Sequence, residues 1–269
     1  MNKTDFYSEI YKRYGPVTRA RGCFLYTKKG VRLTDLYQEN GRAILGWDGK
    51  SAFTHLKNVL SRGQTGSFIT EEQNHPGRLS RAVSSLTQAQ RTAFAFSDKM
   101  TALKAGLYFS PQGTSFYRPW SQNQKISDAD CAIIIPPLPW TDTIYLLAVK
   151  NEALQSKSQG KNCPGSVKLP FALECALTRA IYNLIAELPA RQEKNWFIYD
   201  SVLTKYWERQ GPYLRPKIPQ EKYDDFVCRC LDAGLVINPE FNGDSIVPFG
   251  ADKGVFTKLK NLQFDCQTH

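Results

Sequence analysis

The chain has 269 residues, 42% hydrophobic and 12% aromatic, with 35 Lys+Arg against 25 Asp+Glu and a formal net charge of +10. That is enough apolar material for a core in one large domain or two modest ones, and it excludes a fibrous or disordered chain. No apolar run reaches the length of a membrane span, and residues 1–15 lack the apolar core of a secretion signal, so no membrane partner and a cytoplasmic location are expected.

Residues 1–21 are polar and basic, and Tyr7, Ile10 and Tyr11 fall at helical spacing, which predicts a short amphipathic helix or arm ended by Gly15-Pro16. Residues 22–46 are the stretch around which the rest is organised. An apolar run over 23–27, a Lys28-Lys29-Gly30 turn and alternation over 31–35 predict a β-hairpin with Val31, Leu33 and Asp35 on one face and Arg32 and Thr34 on the other. A helix follows over 51–63 through Phe53, Leu56, Val59 and Leu60, then a loop over 64–77 and a second short helix over 78–86.

From Ala93 the texture becomes that of an α/β layer. A strand over 93–96, a Ser97-Asp98 cap and a helix over 100–109 form one unit, and short strands follow over 115–118, 131–135 and 143–149. The last two are continuous apolar runs, as expected of strands covered on both faces. Residues 151–165 read as an exposed crossover, and Pro170 opens a long helix. Trp196, Tyr199, Leu203 and Tyr206 or Trp207 predict a helix over 195–210, followed by an extended stretch over 213–218 and a helix from Pro219 that stops at Ala233-Gly234. Strands over 235–237 and 245–247 flank an Asn242-Gly243-Asp244 turn, and a last helix is expected over 255–262 with Asp252 at its cap.

The seven cysteines (Cys23, Cys131, Cys163, Cys175, Cys228, Cys230 and Cys266) hold no CxxC pair, which points to reduced, buried thiols. His55, His75 and His269 offer little for a metal centre or a Ser/His/Asp triad, and His55 reads as a helix-surface residue. The basic residues are spread among acids, which favours a solvated surface over a nucleic-acid groove.

The stretches 22–26, 30–35 and 44–46, together with 226–239 and 245–248 at the other end, resemble the opening and closing segments of class III aminotransferases. The resemblance implies a pyridoxal-phosphate-dependent fold type I scaffold whose small domain is assembled from both chain ends, and a homodimer, since the family's sites form between subunits. It implies that Ser97, Asp98, Lys99, Met100 and Thr101 stand where the family binds the cofactor phosphate at a helix N-terminus, a sound place for an anion. Asp98 and Lys99 depart from the family's small residues there, and an acid opposes phosphate. Residues 170–180 resemble the helix that returns the family's chain to its small domain. Residues 128–139 match the family's cofactor-lysine region, and they put Pro136 near the lysine position.

Lys150, at the end of an apolar strand, is the fallback catalytic lysine, with Lys161 and Lys168 behind it. Asp130 or Asp142 would have to hold the pyridine nitrogen, and Arg118 is the arginine nominated for a substrate pocket. Transamination needs a lysine amine placed to bond the cofactor aldehyde. The expectation is therefore a reduced α/β aminotransferase-like core with an α+β small domain, divided into residues 1–63, 64–190 and 191–269. Such a protein would lack transaminase activity and any bound cofactor, and would hold a small phosphorylated or carboxylate ligand. The alternatives are an active pyridoxal phosphate enzyme using Lys150 and a basic nucleic-acid binder.

Overall fold

The computed structural model describes residues 2–66, 77–121, 126–157, 163–262 and 264; most of the expected 64–77 loop lies outside them. The chain begins with α1 (Lys3–Tyr14), β1 (Val17–Arg21), β2 (Phe24–Thr27), β3 (Arg32–Asp35), α2 (Ser51–Ser61), α3 (Arg78–Thr87), β4 (Arg91–Phe96) and α4 (Lys99–Phe109). It continues through β5 (Ser115–Phe116), β6 (Cys131–Ile134), β7 (Tyr145–Lys150), α5 (Asn151–Lys157), α6 (Phe171–Glu187), α7 (Lys194–Phe197) and α8 (Asp200–Leu203). It closes with β8 (Trp207–Gln210), β9 (Tyr213–Pro216), α9 (Tyr223–Asp232), β10 (Leu235–Val236), β11 (Ser245–Ile246) and α10 (Thr257–Lys260). These elements form two compact units, Met1–Asp48 with Arg191–His269, and Gly49–Ala190.

In the first unit the two chain ends share a sheet of order β1-β2-β3-β10. The predicted hairpin forms, and β10 adds to β3 in parallel, Leu235 opposite Thr34 and Val236 opposite Asp35. Gly234 (φ 82) ends α9 in the left-handed region, and its carbonyl accepts from the Thr34 N–H at 2.9 Å. Strands 235–236 and 245–246 do not pair with each other, contrary to the hairpin-like spacing around residues 242–244. β11 instead joins β9 and β8 in a second sheet, Ser245 opposite Leu214.

Asp35, at the end of β3, is 1% exposed and makes its bonds without an arginine or lysine among the described residues. Its Oδ1 accepts from the Tyr37 and Gln38 N–H groups at 2.9 Å each, and its Oδ2 from the Trp47 indole at 2.7 Å. The chain then takes a left-handed turn through Gln38, Glu39 and Asn40 (φ 45, 48 and 56) into Gly41. Each such residue costs about 1–2 kcal/mol, so outside contacts must hold the turn. They come from Tyr7, which donates to Glu39 at 2.7 Å, Arg42, which bridges Glu39 at 2.7 Å, and Asn238, which donates to Asn40 at 2.9 Å.

In the second unit the sheet order is β4-β7-β6-β5, with β7 antiparallel to both neighbours and β5 parallel to β6. Phe96, Ile133, Leu147 and Val149 meet Ala102, Ala105 and Phe109 of α4 on one face. α3 runs along the outer edge of β4, where the Ser80 and Ser84 hydroxyls accept from the Ala93 and Arg91 N–H groups at 3.0 and 2.9 Å. That helix covers an edge that would otherwise expose unpaired backbone.

Several expectations are corrected. α2 belongs to the second unit, packed through Val59 on Ala172 and Cys175 of α6, so the break falls at Asp48 rather than Gly63. Phe6 and Ile10, not Tyr7 and Tyr11, are the buried stripe of α1. Residues 17–21 form a strand rather than part of an arm, and residues 151–157 are helical rather than loop. Residues 195–210 are two short helices and a strand, because 207–210 pairs with 213–216 across Gly211-Pro212 and buries Trp207 against Tyr206 and Phe226.

Burial raises the Asp35 pKa from 3.8 to about 6. Ionising it thus costs about 3 kcal/mol more in the folded chain than in the unfolded one. The folded value lies above the unfolded one, so this contribution to stability is full below pH 4 and is lost as the pH rises to about 6. Denaturant titrations at pH 4, 5, 6 and 7 should show Asp35→Asn losing less stability over that window than the parent. Identical pH slopes would show that Asp35 is not the group responsible.

Candidate functional site

The sheet of the second unit has one end rich in loops. β4, β5 and β6 all point the same way, so the segments leaving them, Ser97 to Thr101, Tyr117 to Trp120 and Ile135 to Trp140, emerge at a common end. Open α/β sheets bind ligands at the carboxyl ends of their parallel strands.

At this end Asp98 caps α4. Its carboxylate accepts from the Thr101 N–H at 2.6 Å and the Thr101 hydroxyl at 2.7 Å, and these bonds hold its pKa below the usual carboxylate value. Lys99 reaches across to sit 5.0 Å over the Phe116 ring of β5. Met100 is 59% exposed. Ser97 is exposed between β4 and the cap. The segment after Cys163 lies against this turn. Gly165 (φ 78) has Thr101 so close that a Cβ would stand 2.7 Å from its Cγ2, and the Val167 N–H donates to Ala95 at 2.8 Å. Lys168, exposed, follows directly. The chain's own carboxylate thus takes the Thr101 N–H and hydroxyl of the first turn and sets an acid at the position that favours an anion.

Lys150 is at the other end. Its Cα partner is Arg91, the first residue of β4, whereas Phe96, next to Ser97, pairs with Tyr145. Five residues of strand, roughly 17 Å, separate the two ends. The Lys150 amine donates to the Asp128 carbonyl at 3.0 Å, as a solvated strand flank does. Asp130 precedes β6 on the Lys150 side and Asp142 precedes β7 on the Ser97 side, so the two candidate acids are split as well. Lys161 lies outside the described residues.

Arg118 lines a cavity of about 240 Å³ together with Thr87, Gln88, Tyr117, Trp120 and Ser127. No carboxylate stands among its described lining residues. Burial pushes the Tyr117 hydroxyl up to about 12, so it stays a neutral donor. Two lining residues, Gln88 (φ 53) and Trp120 (φ 60), hold left-handed backbone. Such strain in a bulky residue needs a surrounding structure that fixes it, here including the Trp120 indole bond to the Leu188 carbonyl at 3.2 Å. The cavity offers one guanidinium, hydroxyls and aromatic edges, a set suited to a small carboxylate or phosphate. Among the described residues no cluster of His, Cys, Asp or Glu could hold a metal ion, and no helix is long and apolar enough to cross a membrane.

The residue that sequence reasoning missed is Arg91, 2% exposed at the Lys150 end. Its guanidinium donates to the carbonyls of Ile126, Ala129, Asp130 and Ala148 at 2.5 to 3.2 Å. This ties the segment before β6, and with it Ile126 and Ser127 of the cavity wall, to the sheet. An arginine opening an apolar strand gives no hint of such burial. Arg91→Met should cost on the order of 3 kcal/mol by leaving buried carbonyls without donors. Urea denaturation checks this, and an unchanged midpoint would remove Arg91 as the anchor of that wall.

No protein-family profile matches the chain. An uncharacterised protein of Treponema pallidum (strain Nichols) is 26% identical, the match covering 90% of this chain and 92% of that protein. An uncharacterised protein of Borreliella burgdorferi is 22% identical over 92% and 90% of the two chains. Among solved structures, acetylornithine aminotransferase from Elizabethkingia anophelis aligns at TM-score 0.64 and 10% identity, over 97% of this chain and 98% of that one. Ornithine δ-aminotransferase of Plasmodium falciparum aligns at TM-score 0.66 and 9% identity over 97% of each, and a transaminase with PLP bound at 0.65 and 11% over 97% and 98%. At such identities the likeness establishes the fold: a mixed α/β chain of several sheets, similar to the aminotransferase fold.

Proposed function

We propose that this chain is a binding protein on an aminotransferase scaffold, one that takes a small carboxylate or phosphorylated ligand around Arg118 and does not perform transamination. The observation that carries the reading is the direction of β7. Because it runs antiparallel to β4, Lys150 lies at the far end of the sheet from Ser97, Asp98, Lys99, Met100 and Thr101. An imine-forming amine and a phosphate site at opposite ends cannot serve one cofactor. Two further facts support it. The β6–β7 connection, residues 135–144, contains no lysine, and Asp98 fills the anion position at α4. A homodimer and a cytoplasmic location belong to the same reading. Sedimentation at high concentration tests the homodimer, and a strictly monomeric species would remove it.

Purified protein mixed with pyridoxal phosphate should show the spectrum of the free cofactor, and Lys150→Ala should leave that spectrum unaltered. A visible band that Lys150→Ala abolishes would establish the enzyme reading instead. A thermal-shift panel of inorganic phosphate, phosphate esters and amino and keto acids should give a stabilising ligand, whose effect Arg118→Ala weakens at least tenfold in apparent affinity. A panel with no stabilising member, or stabilisation indifferent to Arg118, would sink the Arg118 site.

A further inference from the structure

The positive charge, evenly spread at first reading, is concentrated in one place. Residues 10–34 contain Lys12, Arg13, Arg19, Arg21, Lys28, Lys29 and Arg32 and no Asp or Glu, so this segment alone carries +7. Lys12 and Arg13 are neutralised by Glu9 and Asp232. The other arginines are gathered by strand register onto one exposed sheet face. Arg19 stands opposite Tyr26 and Tyr26 opposite Arg32, while Arg21 stands opposite Phe24. Directly paired residues share a face. The rungs Arg19–Tyr26–Arg32 and Arg21–Phe24 therefore form a plate of guanidiniums and rings. Cations and rings are already in contact: the Arg19 guanidinium carbon lies 5.3 Å from the Tyr26 ring centroid and that of Arg32 4.5 Å from that of Phe24.

The three arginines are exposed, and no ion pair ties them to a described carboxylate. The reverse face, with Cys23, Leu25 and Leu33, is buried, which makes the plate rigid rather than a set of loose side chains. Lys28, exposed at the hairpin turn, adds to the charge.

We propose that this face of β1, β2 and β3 binds single-stranded nucleic acid. Each element has a task in that chemistry. A guanidinium resting over a ring can still turn N–H groups to phosphate oxygens, and guanidinium and ring planes are both surfaces on which a base can stack. Interleaved aromatic rings and cations on a firm sheet are the combination that binds single strands without reading sequence. A sheet face of exposed arginines interleaved with rings suits an extended anionic polymer whose bases are unpaired.

The test is fluorescence anisotropy of the full-length protein with a fluorescein-labelled oligothymidylate. Three arginine contacts predict affinity falling roughly twentyfold between about 50 mM and about 200 mM salt, from a slope of about −0.7 per phosphate. The triple variant Arg19→Gln, Arg21→Gln, Arg32→Gln should bind at least tenfold more weakly and with a flatter salt slope. The double variant Arg19→Lys, Arg32→Lys should keep the slope but lose affinity, since the charge remains and the stacked planes do not. No binding at low salt, or binding unaltered in the triple variant, would overturn the proposal. So would oligothymidylate failing to compete while phosphatidylserine vesicles bind, which would assign the face to a membrane surface. None of these readouts depends on Arg118 or on the cofactor question.

Discussion

Two backbone pairings, Leu235 with Thr34 and Val236 with Asp35, hold the first unit together, because they are where the two ends of the chain meet. Nearly two hundred residues of chain lie between those strands, so closing that loop costs entropy that only the buried surroundings can offset. Leu33 and Leu235 supply apolar burial on either side of the seam. Asp35 supplies the polar part, its carboxylate receiving the donors that the chain would leave orphaned as β3 ends. Burying a carboxylate without a cation is costly, and its raised pKa is the visible sign of that cost. The left-handed turn that follows is tolerated for the same reason: Tyr7, Arg42 and Asn238 bind it from separate parts of the unit.

In the second unit the deciding constraint is strand direction. A sheet with three strands one way and β7 the other gives an end where the chain leaves β4, β5 and β6, and an opposite end where Arg91, Asp130 and Lys150 gather. The first end has a helix cap closed by its own aspartate; the second has a buried arginine spent on carbonyls. Lys150 and the α4 turn therefore lie at opposite ends, while Lys168 follows the segment packed on that turn. What persists is a polar cavity with Arg118 in its lining. Folds host sites rather than dictate them, so the likeness in fold leaves the activity to be decided by the site.

Much of this was legible in the residues. Continuous apolar runs at 131–134 and 145–149 marked strands covered on both faces, and the Gly30 turn and the 31–35 alternation marked the hairpin. Other features were hidden for definite reasons. A uniformly apolar strand reads the same in either direction, so Lys150 could not be placed relative to Ser97 until β7 was seen to run antiparallel to β4. Trp196, Tyr199, Leu203 and Trp207 fall at helical spacing, yet Trp207 is buried as part of a strand because pairing with β9 outweighs local periodicity. Residues 245–247, beside the turn at 242–244, pair with β9 rather than with β10, while β10 joins β3, as expected from the meeting of the two chain ends. Arg19, Arg21 and Arg32 are spaced too widely to form a motif, and only the register of three strands makes them neighbours.

The central proposal is that this chain, similar in fold to aminotransferases, does not place an amine for the cofactor. Borohydride reduction of the protein equilibrated with equimolar pyridoxal phosphate, followed by peptide mass mapping, tests it most directly, because reduction makes any lysine–cofactor bond permanent and locates it. The account predicts only sparse labelling scattered over exposed lysines. Stoichiometric labelling of a single lysine, whether Lys150, Lys161 or Lys168, would contradict it.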